Sequence, residues 1–166
     1  MAHWRRFLVA GVGILSLLAA GTVSAGAHVA GGLIEFDSMT PVTGAAVGAV
    51  NARGITGGGK PWAITSGTGE VDRRGHVEVT VRGLVIPVAP FNGTNPVGSF
   101  RATVSCITPH GVVNVMTGSF AASPAGDATI EDTVRLPHPC KQPIVFVTSP
   151  TGAWFAMSNS DEEDED

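Results

Sequence analysis

Three features of the sequence predict an all-β fold. Apolar and polar residues alternate in several short segments, turn residues recur about every 8 to 12 positions, and no segment after the N-terminus has helical periodicity. Residues 100–107 alternate most clearly, with Phe100, Ala102, Val104 and Cys106 on one face. Such segments are typical of an antiparallel β-sandwich, here of about eight strands, with a barrel-like variant as the alternative.

The first half of the chain contains one clear hairpin among its predicted strands. These strands are residues 33–36, 38–41 (strand edge or loop), 47–51, 62–71 and 76–84. The hairpin joins the last two, because apolar valines alternate with polar residues after the turn segment 72–75. A glycine-rich loop, residues 53–61, precedes it.

The second half is predicted to continue as strands and turns. Its strands are residues 100–107, 112–120, 128–136, 144–148 and 153–157. Residues 86–98 contain three prolines and Asn92-Gly93, which predicts a long connecting loop with a turn. Asp132 interrupts the apolar face of its strand, so its burial is a question for the structure.

The N-terminus has the features of an export signal. Arg5 and Arg6 precede an apolar run over residues 7–20, and small residues follow at the possible cleavage sites after Ala25 and Ala27. The apolar run is shorter than the roughly 20 residues that cross a bilayer. We therefore expect a signal peptide at residues 1–27, a secreted, extracellular protein, and no stable membrane anchor after cleavage.

The remaining chain is predicted to be one domain with a tail. Residues 28–157 are long enough to bury a core and form the predicted β-sandwich domain. Residues 158–166 are predicted to be a disordered acidic tail, because 161–166 are all acidic and repel one another.

Two cysteines, Cys106 and Cys140, predict one disulfide bond. An exported chain reaches an oxidising compartment in which such bonds persist. His138-Pro139-Cys140 also has residue types that bind metals, but a bridge to Cys106 is the preferred interpretation.

The charge distribution argues against a nucleic-acid partner. The net charge is −4, and between His28 and Ser160 eight acidic residues balance eight basic ones. A nearly neutral body has no basic surface with which to neutralise phosphates.

Gly54-x-x-x-x-Gly59-Lys60 matches a phosphate-binding loop for seven residues. The eighth position must supply a hydroxyl group and a backbone amide, and Pro61 has neither. We therefore predict a flexible turn here, with no nucleotide cofactor.

A copper site is the alternative functional hypothesis. If cleavage follows Ala27, the free amine and imidazole of His28 could chelate copper together with a second histidine. The possible partners are His76, His110 and His138, and Phe155 could lie on an axial side. Cleavage after Ala25 would remove this site. The copper hypothesis therefore depends on His28 as its candidate metal ligand, and no cofactor is expected without it.

No catalytic motif is evident. The sequence has no Gly-x-Ser-x-Gly elbow. Most of the eight carboxylates of the body fall in turns or on outward strand positions. The eight are Glu35, Asp37, Glu70, Asp72, Glu78, Asp127, Glu131 and Asp132. Trp62 and Trp154 flank apolar residues, which favours core packing over a sugar-binding platform.

Three stretches resemble uncharacterised secreted proteins of GC-rich bacteria. They are residues 36–44 (FDSMTPVTG), 101–106 (RATVSC) and 146–156 (FVTSPTGAWFA). The resemblance implies secretion and a β-domain, and it implies no activity. We therefore expect a non-catalytic extracellular or envelope-associated binding or structural domain, of unknown ligand and partner.

Overall fold

The computed structural model describes residues 31–159, which form two antiparallel sheets packed face to face. The predicted β-sandwich is confirmed, with ten strands, some of them very short. In chain order they are β1 (Gly32–Phe36), β2 (Met39–Pro41), β3 (Ser66–Asp72), β4 (His76–Arg82), β5 (Ser99–Thr108), β6 (Gly111–Met116), β7 (Phe120–Ala121), β8 (Ala128–Thr133), β9 (Lys141–Thr148) and β10 (Trp154–Ser158). No helix within residues 31–159 is long and apolar enough to span a membrane.

The spatial order of the strands is β1-β3-β4-β8 in the first sheet and β2-β10-β9-β5-β6 in the second, where β7 also pairs with β5. The predicted hairpin over residues 62–84 is β3 and β4 of the first sheet. Its first strand begins at Ser66, because the backbone of Trp62 and Ala63 bonds to Val42 and Val85 instead.

Strand β5 lies between β9 and β6 and is buried on both faces. Val104 pairs with Val145 of β9 and with Val115 of β6. Phe100, Ala102 and Cys106 share the inner face with Val104, and all four side chains are fully buried. On the outer face Thr103 and Ser105 are also buried, because the loop that contains Arg53 lies over them.

The core contains an aromatic cluster beside β5. The rings of Trp62 and Phe155 stack with their centroids 3.9 Å apart. Phe100 meets both rings edge-on, at 6.3 Å from Trp62 and 5.8 Å from Phe155. Trp62 and Trp154 are 3% and 4% exposed, which confirms their prediction as core residues.

The predicted disulfide bond between Cys106 and Cys140 is confirmed, with a Cα–Cα distance of 4.8 Å. It attaches Cys106, which is fully buried near the end of β5, to residues 137–140, which have no regular structure and lead into β9. The bridge therefore fixes the entry of β9 into the sheet.

The predicted strand at residues 47–51 is wrong. A 3-10 helix, Gly44–Ala46, occupies the approach, and Val50 makes only an isolated bridge with Thr56. Gly44 and Gly48 have φ angles of +55° and +69°, in the left-handed region that glycine favours, so the chain turns instead of extending.

Other strands have different ends from those predicted. The segment 112–120 is interrupted after Met116 and resumes as β7, and β8 ends at Thr133. Strand β9 begins at Lys141, three residues before the predicted start.

The predicted start of the acidic tail, residue 158, is two residues too early. Ser158 is the last residue of β10, is buried, and accepts a hydrogen bond on Oγ from the Val145 backbone. Asn159 is hydrogen-bonded to Thr40 and Ser38. Residues 158 and 159 therefore belong to the domain, while 160–166 and the predicted signal peptide lie outside the described residues.

Candidate functional site

The copper site predicted on His28 stays a prediction, because His28 lies outside the described residues. His76 begins β4, His110 lies in the turn between β5 and β6, and His138 is an exposed loop residue. Within residues 31–159, no group of three or more His, Cys, Asp or Glu side chains could hold a metal ion.

The glycine-rich loop, residues 53–61, lies against the second sheet, and we call it the covering loop. The Arg53 carbonyl accepts a hydrogen bond from Asn114 of β6, and Gly57 forms a bridge with Trp154 of β10. The Gly57 amide donates to the carbonyl of Ala49, and the Gly58 amide donates to that of Trp154. Both glycines are buried, and a Cβ on either would contact neighbouring groups. These amides donate hydrogen bonds within the protein, whereas the amides of a phosphate-binding loop are free to donate to a phosphate.

Three of the carboxylates considered as catalytic candidates accept hydrogen bonds from backbone amides. Asp132, which is half-buried, accepts hydrogen bonds from Gly118 and Thr133, and these two bonds lower its pKa. Asp72 accepts from Arg74 and His76, and the bond from His76 is the main cause of its lowered pKa. Asp127 accepts from Gly83. These aspartates stabilise turns and loops.

The four glutamates of the domain form one row across the first sheet. Glu35 pairs with Glu70, Glu70 with Glu78, and Glu78 with Glu131, so that every strand contributes one. All four are exposed. Like charges directly opposite each other on neighbouring strands lower stability. The hairpin turn at 72–75 predicts the pairing of Glu70 with Glu78, but the other two members depend on strand order.

Glu70 and Glu78 each have a glutamate on either side, so their charges are the most unfavourable in this row. We expect Glu78→Gln to raise the free energy of unfolding by roughly half a kcal/mol, because two like-charge contacts are removed. Urea denaturation at low ionic strength measures the change, and added salt should reduce it by screening the wild-type row. Arg82→Gln, on the same strand but outside the row, is the control. A Glu78→Gln protein no more stable than the wild type would contradict the repulsion.

A cleft of about 380 Å³ opens on the outer face of the second sheet. We call it the outer cleft, and its lining residues are Gly54, Ile55, Thr56, Thr103, Asn114, Met116, Thr151, Gly152 and Ala153. None of the nine is charged. Asn114 Nδ2 donates to the Arg53 carbonyl over 2.8 Å, and Thr103 Oγ1 lies 3.3 Å from Thr148 Oγ1. The outer cleft thus presents hydroxyl, amide and thioether groups.

Unsatisfied polar atoms concentrate in the layer beside the outer cleft. Arg53 Nη1, Ser105 Oγ and Trp154 Nε1 are buried without a hydrogen-bond partner in the described part of the chain. Arg53 lies in the covering loop, and its Nη2 donates to the Gln142 carbonyl. Burial lowers the pKa of this guanidinium. Buried unpaired donors cost stability, and departures from such local rules are expected where a protein is built for function.

The outer cleft borders β6, which is the last strand of its sheet. Thr117, just after β6, donates its backbone N–H to the Ala102 carbonyl of β5. In an antiparallel pair, residues bonded to the neighbour alternate with residues whose backbone groups point away. The N–H and C=O groups of Val112, Asn114 and Met116 therefore point outward. We call this side of β6 the open edge.

The side chains of the open edge are also accessible. Val112, Val113 and Met116 are 43%, 36% and 48% exposed, and they account for three of the five large exposed apolar residues in the described range. Sequence reasoning identified the strand but not its exposure, since alternation does not show which strand ends a sheet.

Comparison of the chain with protein-family models, with curated proteins and with solved structures gives no match.

Proposed function

We propose that this protein is a secreted, non-catalytic binding domain that holds an extended polypeptide segment against the open edge of β6. The observation that carries the proposal is the position of β6, an uncharged edge strand with no neighbour on its outer side within residues 31–159, directly beside the outer cleft. An added strand gains affinity from main-chain hydrogen bonds and selectivity from pockets for alternate side chains.

The open edge supplies the main-chain part of this recognition. Its three outward residues offer three N–H donors and three C=O acceptors at the spacing of an antiparallel neighbour. The exposed side chains of Val112 and Met116 extend the apolar contact on the outer face.

The outer cleft supplies the side-chain part. Asn114 and Met116 belong to both features, so a segment paired with β6 has its side chains at the mouth of the outer cleft. A lining without charge favours an apolar or neutral polar side chain, because a charged one would lose hydration without gaining an ion pair.

The proposed extracellular location is supported by the signal-like N-terminus and is compatible with the disulfide bond. The non-catalytic role is supported by the use of Asp72, Asp127 and Asp132 as acceptors for backbone amides, which leaves them with structural roles.

An eight-residue peptide of alternating threonine and valine is the first probe. We expect it to shift the backbone NMR resonances of β6 and of residues 151–153, because it pairs with the open edge and contacts the outer cleft. A peptide with proline at alternate positions is the matched control, since it lacks half of the donors.

Thr151→Arg, which narrows the outer cleft, should weaken binding of the peptide, whereas Thr129→Arg on the exposed face of β8 should not. Equal shifts with both peptides, or shifts confined to the first sheet, would contradict the proposed function.

A further inference from the structure

We infer that the segment which pairs with the open edge is β6 of a second copy of this chain, in an antiparallel arrangement with Asn114 on a two-fold axis. This inference rests on the proposed function of the open edge and names its partner. Its basis is the contrast between β6 and the other sheet edges, together with the self-complementary order of side chains along the strand.

The other three sheet edges carry features that prevent pairing with a further strand. Edge strand β1 has an exposed charge at Glu35, and β8 has Glu131 and Asp132. Edge strand β2 has three residues and ends in Pro41. Charges, prolines and short length are the usual protection of exposed edges. Strand β6 has six residues, Gly-Val-Val-Asn-Val-Met, without charge or proline.

Absence of charge extends well beyond β6. No Asp, Glu, Lys or Arg occurs between Arg101 and Asp127. Two copies carrying a net charge of −4 each repel at long range, but the facing strands of this dimer bring no like charges together. A charged peptide would find no opposite charge on β6, so neutrality favours a neutral partner such as β6 itself.

The side-chain order of β6 is self-complementary about Asn114. A two-fold axis there places Val113 opposite the partner's Val115, and Val112 opposite the partner's Met116. Asn114 lies opposite its own copy. Apolar residues therefore meet on both faces of the joined sheet, and cross-strand pairs of this kind stabilise sheets.

The backbone fits the same register. With Asn114 on the axis, the three residues whose groups point outward, Val112, Asn114 and Met116, lie opposite one another, so all six of their N–H and C=O groups in each copy are paired. A slip of one residue would place each outward-pointing residue opposite an inward-bonded one, and these bonds would be lost. The two outer clefts then lie side by side on one continuous sheet.

Cysteine cross-linking tests both the partner and the register. In the inferred dimer the two Cα atoms of residue 114 are about 5.5 Å apart, the distance of a hydrogen-bonded pair, which suits a disulfide. Residue 112 is four positions from its copy, or about 13 Å, which is too far. We expect Asn114→Cys to form a covalent dimer on mild oxidation and Val112→Cys to remain uncoupled.

Peptide mapping should show that the native Cys106–Cys140 bond persists in both variants. Dominant coupling through residue 112, or equal coupling at both positions, would overturn the inferred register.

Sedimentation of the wild-type protein, as it is recovered from its host, tests association without an introduced cysteine. We expect concentration-dependent dimerisation, weakened at least tenfold by Val112→Lys and unchanged by Thr129→Lys on β8. At concentrations low enough for the wild type to be monomeric, both variants should retain its thermal midpoint.

A wild-type protein that is monomeric at all concentrations, together with an Asn114→Cys variant that does not couple, overturns the inference. If the threonine-valine peptide still shifts β6 in that protein, the proposed function stands with a different partner. If the peptide also fails, both fall.

Discussion

Replacing both Cys106 and Cys140 by alanine is expected to lower the free energy of unfolding by about 3 to 4 kcal/mol. The bond closes a loop with a sequence separation of 34 residues, and the estimate is the entropy that such a closure removes from the unfolded chain. The loss is a large fraction of the roughly 5 to 15 kcal/mol that stabilises a typical domain. Urea denaturation followed by tryptophan fluorescence measures it.

Reduction of the wild-type protein provides the control for lost packing. The dithiol form retains both sulfur atoms, so it separates the effect of the covalent link from the cavity that alanine leaves at the fully buried position 106. The reduced protein should lose most of the stability that the double variant loses. Unfolding midpoints that coincide for the oxidised and reduced proteins would contradict the stabilising role of the bridge.

Local patterns predicted the centre of the fold well. The hairpin β3–β4 follows from alternation and a four-residue turn, and both are local properties. Strand β5 follows from the alternation of residues 100–107, although the burial of its outer face does not. Thr103 and Ser105 are polar positions that alternation assigns to solvent, and they are buried because the loop with Arg53 and Ile55 crosses over them.

The candidate site could not be predicted in the same way. Its components come from the covering loop, from β5, from β6 and from the turn after β9, which meet only through tertiary packing. The misassigned strand at residues 47–51 shows the same limit. Glycine can adopt an extended or a left-handed backbone, so the sequence leaves Gly44 and Gly48 open to either, and the structure has both at positive φ.

The edge position of β6 is also a property of strand order. Residues 112–116 have the pattern of an ordinary strand, and nothing local indicates whether a neighbour lies on one side or on both. The sequence shows that residues 112–116 have no charge. This absence indicates an edge open to pairing only because β6 ends its sheet.

Phe100→Ala is expected to destabilise the domain by about 3 to 5 kcal/mol, the range for removal of a large buried aromatic side chain. Phe100 is fully buried and contacts the stacked rings of Trp62 and Phe155, so its loss leaves a cavity lined by rigid groups that cannot collapse easily. Thermal and urea denaturation measure the change.

Phe120→Ala is the matched control, because Phe120 pairs with Phe100 across β7 and β5 but is only half-buried. Phe100→Leu should recover much of the loss by refilling the space. Equal destabilisation by the two alanine variants would show that the aromatic cluster contributes no more than the edge of the sheet does.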